Sequence, residues 1–368
     1  MIFFISVLSF IYFIFLIVVI ISLKQKKDPY SSNLKEHFIS IIIPFKNESL
    51  NILNNLNSIR DLDYNKNCFE VIYVNDNSTD DSVLKLKENI IDSNIRILEY
   101  KNDNVGGKKR AVKYAIDNCK GDLIFTTDAD CIVKKDWLKL TVPLFDVNTA
   151  FISGIVKFSD GKSIWSKLQQ IEFAGLVLVG GGLINAGFAS ICNAANLAFK
   201  KSVFYEVGGF DDNMHIKSGD DELLMQKIAL KTNYTIKYFF NNNTVVTTKS
   251  NNSFKEFYYQ RVRWASKGLH YKNPLLILFL IIIYLFFLSF PFQLLFGIIF
   301  NGYYLLSLSL FFIIKILLEY RILLFGEKTL FNKISLLELL IAEFLHIPYI
   351  IIAGFMGTFG KYKWKGSI

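Results

Sequence analysis

Residues 2–23 form an almost unbroken apolar run. As a helix rising 1.5 Å per residue, the run reaches about 33 Å, enough to cross the hydrocarbon core of a bilayer. A cleaved leader starts basic, has a shorter apolar core and ends in small residues. Here the run starts apolar and is followed by Lys24, Lys26 and Lys27. We therefore expect an uncleaved transmembrane anchor over residues 1–23. By the positive-inside rule, the lysines place the residues that follow in the cytosol.

The chain turns apolar again from residue 275, and 52% of its 368 residues are hydrophobic. Spans are expected at about 275–295, 297–318 and 335–358, within a C-terminal membrane region of residues 275–360. The stretch from Glu319 to Lys333 carries Arg321 and Lys328 and reads as a cytosolic or interfacial link. An odd number of spans would leave Lys361, Lys363 and Lys365 outside, against the charge rule. One apolar segment is then re-entrant or interfacial. The last segment contains Glu338, Glu343 and His346. Charged groups at membrane depth face protein or a water-filled cavity. Glu343 and His346, three apart, share a helix face. That face is read either as structural or as lining the path of an acceptor lipid. The formal charge of +9 matches an anionic inner leaflet more simply than it matches a nucleic acid. Cys68, Cys119, Cys131 and Cys192 are widely spaced, with no C-x-x-C. That excludes a zinc or disulfide framework and fits a reducing compartment.

Residues 28–273 read as a domain outside the membrane. Apolar runs at Phe38 to Pro44, Val71 to Val74 and Asp122 to Thr127 each end in polar turn residues. Helices are expected between them, at 80–92 and 107–118. Strands alternating with helices predict an α/β domain built on a mainly parallel sheet. Ligands of such sheets sit beyond the carboxyl ends of the strands, where the polar clusters lie.

After the first strand comes Pro44-Phe45-Lys46-Asn47-Glu48, and after the second Asn75-Asp76-Asn77-Ser78-Thr79-Asp80. Gly106-Gly107-Lys108-Lys109-Arg110 offers flexible backbone and three cations, which suit a diphosphate. Asp128-Ala129-Asp130 follows the apolar strand, and two carboxylates so spaced can share a hard divalent cation such as Mg²⁺ or Mn²⁺. Asn193-Ala194-Ala195-Asn196 and Gly208-Gly209-Phe210-Asp211 come next. Ser218-Gly219-Asp220-Asp221-Glu222 then opens a helix expected over Leu223 to Leu230. Three acids there are capping groups or include a general base. Gln260-Arg261-Val262-Arg263-Trp264 precedes the second apolar region.

In this order, from about Ser40 to Trp264, the series resembles the inverting family 2 glycosyltransferases. The resemblance implies a GT-A Rossmann-like nucleotide-binding fold flanked by N- and C-terminal transmembrane helices. It implies that Pro44, Glu48, Asp76, Gly107, Lys108, Asp128, Gln260, Arg263 and Trp264 bind the donor, and that Asp128 and Asp130 bind Mg²⁺ or Mn²⁺. The catalytic base falls on Asp220, or on Asp221 one residue later, because Gly219 stands where the family carries a glutamate. Asn75 also departs from the family's paired acids. The terminal Lys363-Trp364-Lys365-Gly366 is similar to the ending of members that glycosylate lipids.

The expected activity moves a sugar from a nucleotide-diphosphate donor, a UDP-sugar first among them, to a lipid or lipid-linked hydroxyl at the cell membrane. A processive polysaccharide synthase is the alternative within the family. Outside it stand a nucleotidyltransferase, disfavoured because Phe45-Lys46-Asn47-Glu48 replaces a Gly-rich loop, and a non-catalytic membrane scaffold.

Overall fold

The computed structural model describes residues 1–24, 37–100, 107–216 and 219–359. The chain divides into two compact units. One takes Lys26–Ser159 and Leu183–Lys249; the other takes Met1–Gln25, Asp160–Gly182 and Ser250–Ile368. Residues 160–182 and 250–273, which the sequence assigns to the middle domain, group with the terminal segments.

The first unit is built on a sheet. Its strands are β1 (Ile39–Phe45), β2 (Phe69–Asn75), β3 (Ile95–Glu99), β4 (Leu123–Thr126), β5 (Thr149–Gly154), β6 (Val156–Phe158), β7 (Leu197–Lys200), β8 (Thr235–Phe239) and β9 (Val246–Thr248). Seven of them form one sheet in the order β3-β2-β1-β4-β7-β5-β8, and β6 pairs with β9. In the main sheet β7 runs antiparallel to β4 and β5, while the other pairings are parallel. Every residue of β1 is buried, which is why its sequence is apolar without alternation. The helix α4 (Lys108–Asp117) packs Ala111, Val112, Ala115 and Ile116 into the core. Those positions are spaced three and four apart and form one helix face.

The chain enters β4 under close steric control. A Cβ on Gly121 would stand 2.4 Å from the Ser40 main-chain nitrogen, so no other residue fits without moving β1. The Gly121 N–H instead donates to Ser40 Oγ at 2.8 Å, and Ser40 Oγ donates to Glu70 Oε1 at 2.7 Å.

The strand order reverses between β1 and β4, which makes their carboxyl ends the binding crevice of an open sheet. The β1–β4 ladder stops at Ile42↔Thr126, whereas β1 stays paired with β2 through Pro44↔Val74 to Phe45↔Asn75. Pro44 lacks an N–H and is tolerated here because β4 has already ended.

The second unit is helical. It holds α1 (Ile2–Lys24), most of α6 (Ile164–Asn185), α9 (Phe254–Ser266), α10 (Pro274–Ile299), α11 (Tyr303–Leu323) and α12 (Leu336–Phe359). Among the described residues, Ile2–Lys24, Ile164–Asn185, Pro274–Ile299 and Leu336–Phe359 are long and apolar enough to cross a membrane. The second of these was not anticipated, because Gln169, Gln170 and Glu172 interrupt its apolar pattern.

The charged groups of these helices meet one another. Lys315 on α11 is fully buried and pairs with Glu319 at 3.0 Å and with Glu343 on α12. Tyr12 on α1 donates its hydroxyl to Glu319 at 2.6 Å, and His346 Nδ1 lies 3.3 Å from the other Glu319 oxygen. Glu343 therefore faces protein, and its pairing favours the structural reading of that helix face. Replacing one member of a buried pair strands the other, at about 3–5 kcal/mol. Lys315→Met should thus lower the melting temperature of the detergent-purified protein. Lys315→Met with Glu343→Leu should recover part of the loss, and a double variant no better than the single one would contradict the pairing.

Candidate active site

The loops that leave β1 and β2 are joined before any ligand is considered. Asn47 (φ 54°) and Asn77 (φ 55°) adopt the left-handed conformation that asparagine tolerates in turns. The Asn47 N–H donates to Ser78 Oγ at 3.1 Å, and Thr79 N–H donates back to Asn47 Oδ1 at 2.8 Å. Asp80 accepts from Ser49 N–H at 2.9 Å and from Ser82 N–H at 3.1 Å. Burial alone would raise the Asp80 pKa, but the Ser82 hydroxyl, which donates to Oδ1 at 2.5 Å, together with the Ser49 and Ser82 N–H groups outweighs it and holds the carboxyl at about 2. Glu48 donates its N–H to Ser82 Oγ and accepts at Oε2 from Asn51, both at 2.8 Å.

Asp76, buried at the end of β2, accepts the Gly107 N–H at 3.0 Å. The bond ties the β2 loop to the start of α4. The next residue, Lys108, reaches Asp128 Oδ1 at 2.7 Å and Asp220 Oδ2 at 3.1 Å. Burial pulls the Lys108 pKa down, yet the charges of Asp128 and Asp220 prevail and raise it well above its ordinary value. One ammonium thus gathers three motifs that lie far apart in the sequence.

Beyond β4, the Cys131 N–H closes a turn onto the Asp128 carbonyl at 3.0 Å. Donor atoms of Asp128, Asp130 and Cys131 lie within 4.8 Å of one another. The two carboxylates are part-exposed and the thiol is buried. Burial, then the charges of Asp130 and Asp128, push the Cys131 pKa up. Thr127 Oγ1 is buried beside this turn and has no hydrogen-bond partner among the described residues.

Asp220 and Asp221 have different surroundings. Asp221 accepts from Glu222 N–H at 2.8 Å, capping α8 (Glu222–Lys231), and from Ala194 N–H at 3.2 Å. Both of its oxygens are engaged by main chain, whereas Asp220 turns toward Lys108. Gly219 has φ +81°, a conformation that strains any side chain-bearing residue.

Residues 40–208 match the family model for Glycosyl transferase family 2. They form a family 2 glycosyltransferase domain. The chain is 27% identical over 245 residues to a probable glycosyltransferase, YdaM, of Bacillus subtilis, covering 64% of this chain and 56% of that protein. It is 32% identical over 140 residues to a beta-monoglucosyldiacylglycerol synthase of Nostoc, covering 37% of this chain and 30% of that one. The chain thus spans about half, or less, of the length of these curated relatives. The fold resembles that of a mannosyltransferase from Pyrobaculum calidifontis solved with GDP-Man and Mn²⁺. The TM-score is 0.60 at 19% identity, over 96% of this chain and 95% of that one.

Pro44, Glu48, Asp76, Gly107, Lys108, Asp128 and Asp130 fall within the matched stretch, and Asp220 and Asp221 follow it in the sheet unit. Gln260, Arg263 and Trp264 lie on α9 in the helical unit. Gln260 Oε1 accepts from Asn251 Nδ2 at 2.8 Å and from Arg261. Arg261 is buried, forms a two-pronged pair with Glu172 and lies 4.3 Å from the Trp264 ring. Neither Arg261 nor Glu172 is among the residues that the family resemblance implies, and the signal for both is a charged residue set among apolar and aromatic neighbours. Ser218 and the terminal Trp364 lie outside the described residues.

The depressed pKa of Asp80 fixes the sign of a pH effect. Its stabilising bonds act fully above the ordinary carboxylate pKa of about 4 and vanish as the pH falls through about 2. Asp80→Asn should be less stable than the parent at pH 7, by about 1 kcal/mol or less because the group is only part-buried and solvent screens it. Melting curves should converge between pH 4 and pH 2. A gap that persists at pH 2 would contradict this assignment.

Proposed function

We propose that the chain is a membrane-bound, inverting, metal-dependent glycosyltransferase. On this reading it moves a sugar from a nucleoside-diphosphate donor to a hydroxyl of a lipid or lipid-linked acceptor. The observation that carries the reading is the Lys108 ammonium held between Asp128 and Asp220 at the carboxyl end of the sheet.

The donor set fits a hard cation. Asp128 and Asp130 offer oxygen atoms within one coordination sphere of each other, the chemistry of Mg²⁺ or Mn²⁺. The buried, partnerless Thr127 hydroxyl is consistent with a further group binding there. When bound, such an ion supplies Lewis-acid neutralisation of the departing diphosphate.

The remaining steps belong to the chain's own residues. As the diphosphate develops charge, Lys108 transfers its hydrogen bonds from the carboxylates to the phosphate oxygens. That frees Asp220, whose Oδ2 takes the proton of the acceptor hydroxyl. The acceptor oxygen bonds to the anomeric carbon as the bond from that carbon to the diphosphate oxygen breaks on the opposite face, inverting the configuration. Asp76, Gly107 and Glu48 line the nucleoside side, where the β1 and β2 loops are preformed. Asp221 is a positioning residue that caps α8 and holds Ala194.

Support for a lipid acceptor comes from the apolar helices and from the name of the Nostoc relative. The neighbour solved with GDP-Man and Mn²⁺ supports a nucleotide-sugar donor and a divalent ion. Lys24, at the end of α1, favours a cytosolic catalytic unit, the side on which nucleotide sugars are made.

Chelation should abolish sugar transfer, and Mn²⁺ or Mg²⁺ should restore it. Asp220→Asn should cut kcat by about 10²-fold or more with donor affinity nearly unchanged. Asp221→Ala should act chiefly through stability, because it loses the capped helix start and the bond from Ala194 N–H. Full transfer in excess chelator, or an Asp220→Asn enzyme with ordinary kcat, would overturn the mechanism.

A further inference from the structure

The helix α2 (Ile52–Arg60) carries two buried polar side chains that take no part in the chemistry above. Asn55 has no solvent exposure. Its Nδ2 donates to the carbonyls of Asp128 at 3.2 Å and Cys131 at 2.8 Å. Its Oδ1 accepts from the Tyr73 hydroxyl on β2 at 2.7 Å. One turn further on, Ser58 Oγ accepts the Val133 N–H at 3.3 Å and donates to the Asn55 carbonyl at 2.8 Å.

The orientation of the Asn55 amide follows from its partners. A carbonyl can only accept, so the NH₂ must face both carbonyls. The Oδ1 is then left for Tyr73, whose hydroxyl must donate. Burying an amide is costly unless its groups are paired. Here both amide protons and the oxygen are satisfied, and the neighbouring inward positions are Ile52, Leu56 and Ile59. A leucine would suit that apolar face equally well. The distinct consequence of an amide is its grip on the turn from Asp128 to Cys131.

We propose that Asn55, oriented by Tyr73, is the positioning residue for the cation-binding carboxylates. It fixes the two carbonyls at the ends of the turn and so keeps the Asp128 and Asp130 side chains close enough to share one ion. The inference rests on the reading of Asp128 and Asp130 as cation ligands.

The test measures the ion itself. Free Mn²⁺ is followed by electron paramagnetic resonance with the full chain in detergent, in the presence of UDP and, separately, GDP. Asn55→Leu keeps the volume and removes both donors. It should weaken Mn²⁺ affinity about 10–100-fold, as loss of an outer-shell partner does, while kcat recovers at saturating Mn²⁺. Tyr73→Phe leaves the donors in place and should weaken affinity in the same direction but less; it carries the test if Asn55→Leu does not fold. Asn54→Ala, on the exposed side of α2, should change nothing. Parental Mn²⁺ affinity in both variants, or a kcat loss that Mn²⁺ does not restore, would overturn the proposal. A parent chain that binds no Mn²⁺ with either nucleotide would remove the cation reading and this inference with it.

Discussion

Placing several carboxylates at one end of a parallel sheet is electrostatically unfavourable unless something holds them. In this protein the Lys108 ammonium does so, at 2.7 Å from Asp128 and 3.1 Å from Asp220. Much of the sheet unit serves to keep that charge in place. The Asp76–Gly107 bond fixes the start of α4 from which Lys108 projects. The tight approach of Gly121 to β1 sets the path of β4 into the Asp128 turn. Main-chain donors take both oxygens of Asp221, so that of the two adjacent acids Asp220 meets the lysine.

The helical unit follows the same rule in a different medium. Charges inside apolar helices are tolerated when they are paired, and Lys315 meets both Glu319 and Glu343. Arg261 is likewise enclosed by Glu172 and by the rings of Phe257 and Trp264. Both clusters join residues that are distant in sequence and so neutralise their charges across different helices.

The central strands and the site loops were legible in the sequence because β1, β2 and β4 are buried on both faces. They read as continuous apolar runs ending in polar turns. The strands β3 and β8 were not singled out, since each lies at a sheet edge with mixed burial and carries Arg96 or Lys237 within it. The helix α6 was hidden by Gln169, Gln170 and Glu172; Gln169 donates to the Asn251 carbonyl and Glu172 accepts from Arg261 on α9 and Tyr349 on α12, partners that appear only in three dimensions. The choice between Asp220 and Asp221 could not be made from spacing, because it depends on the main-chain partners that Asp221 finds. Asn55 and Tyr73 carried no motif at all. Their role is visible only where a buried amide meets two carbonyls.

The central claim is that bond breaking occurs at the anomeric carbon of a nucleotide sugar. Hydrolysis of UDP- and GDP-linked sugars by the purified chain in ¹⁸O-water, with Mn²⁺ present, tests it most directly. Mass spectrometry of the products should find the label on the sugar and none on the nucleoside diphosphate. Label on the phosphate would mean attack at phosphorus, as in nucleotidyl transfer, and would contradict the account.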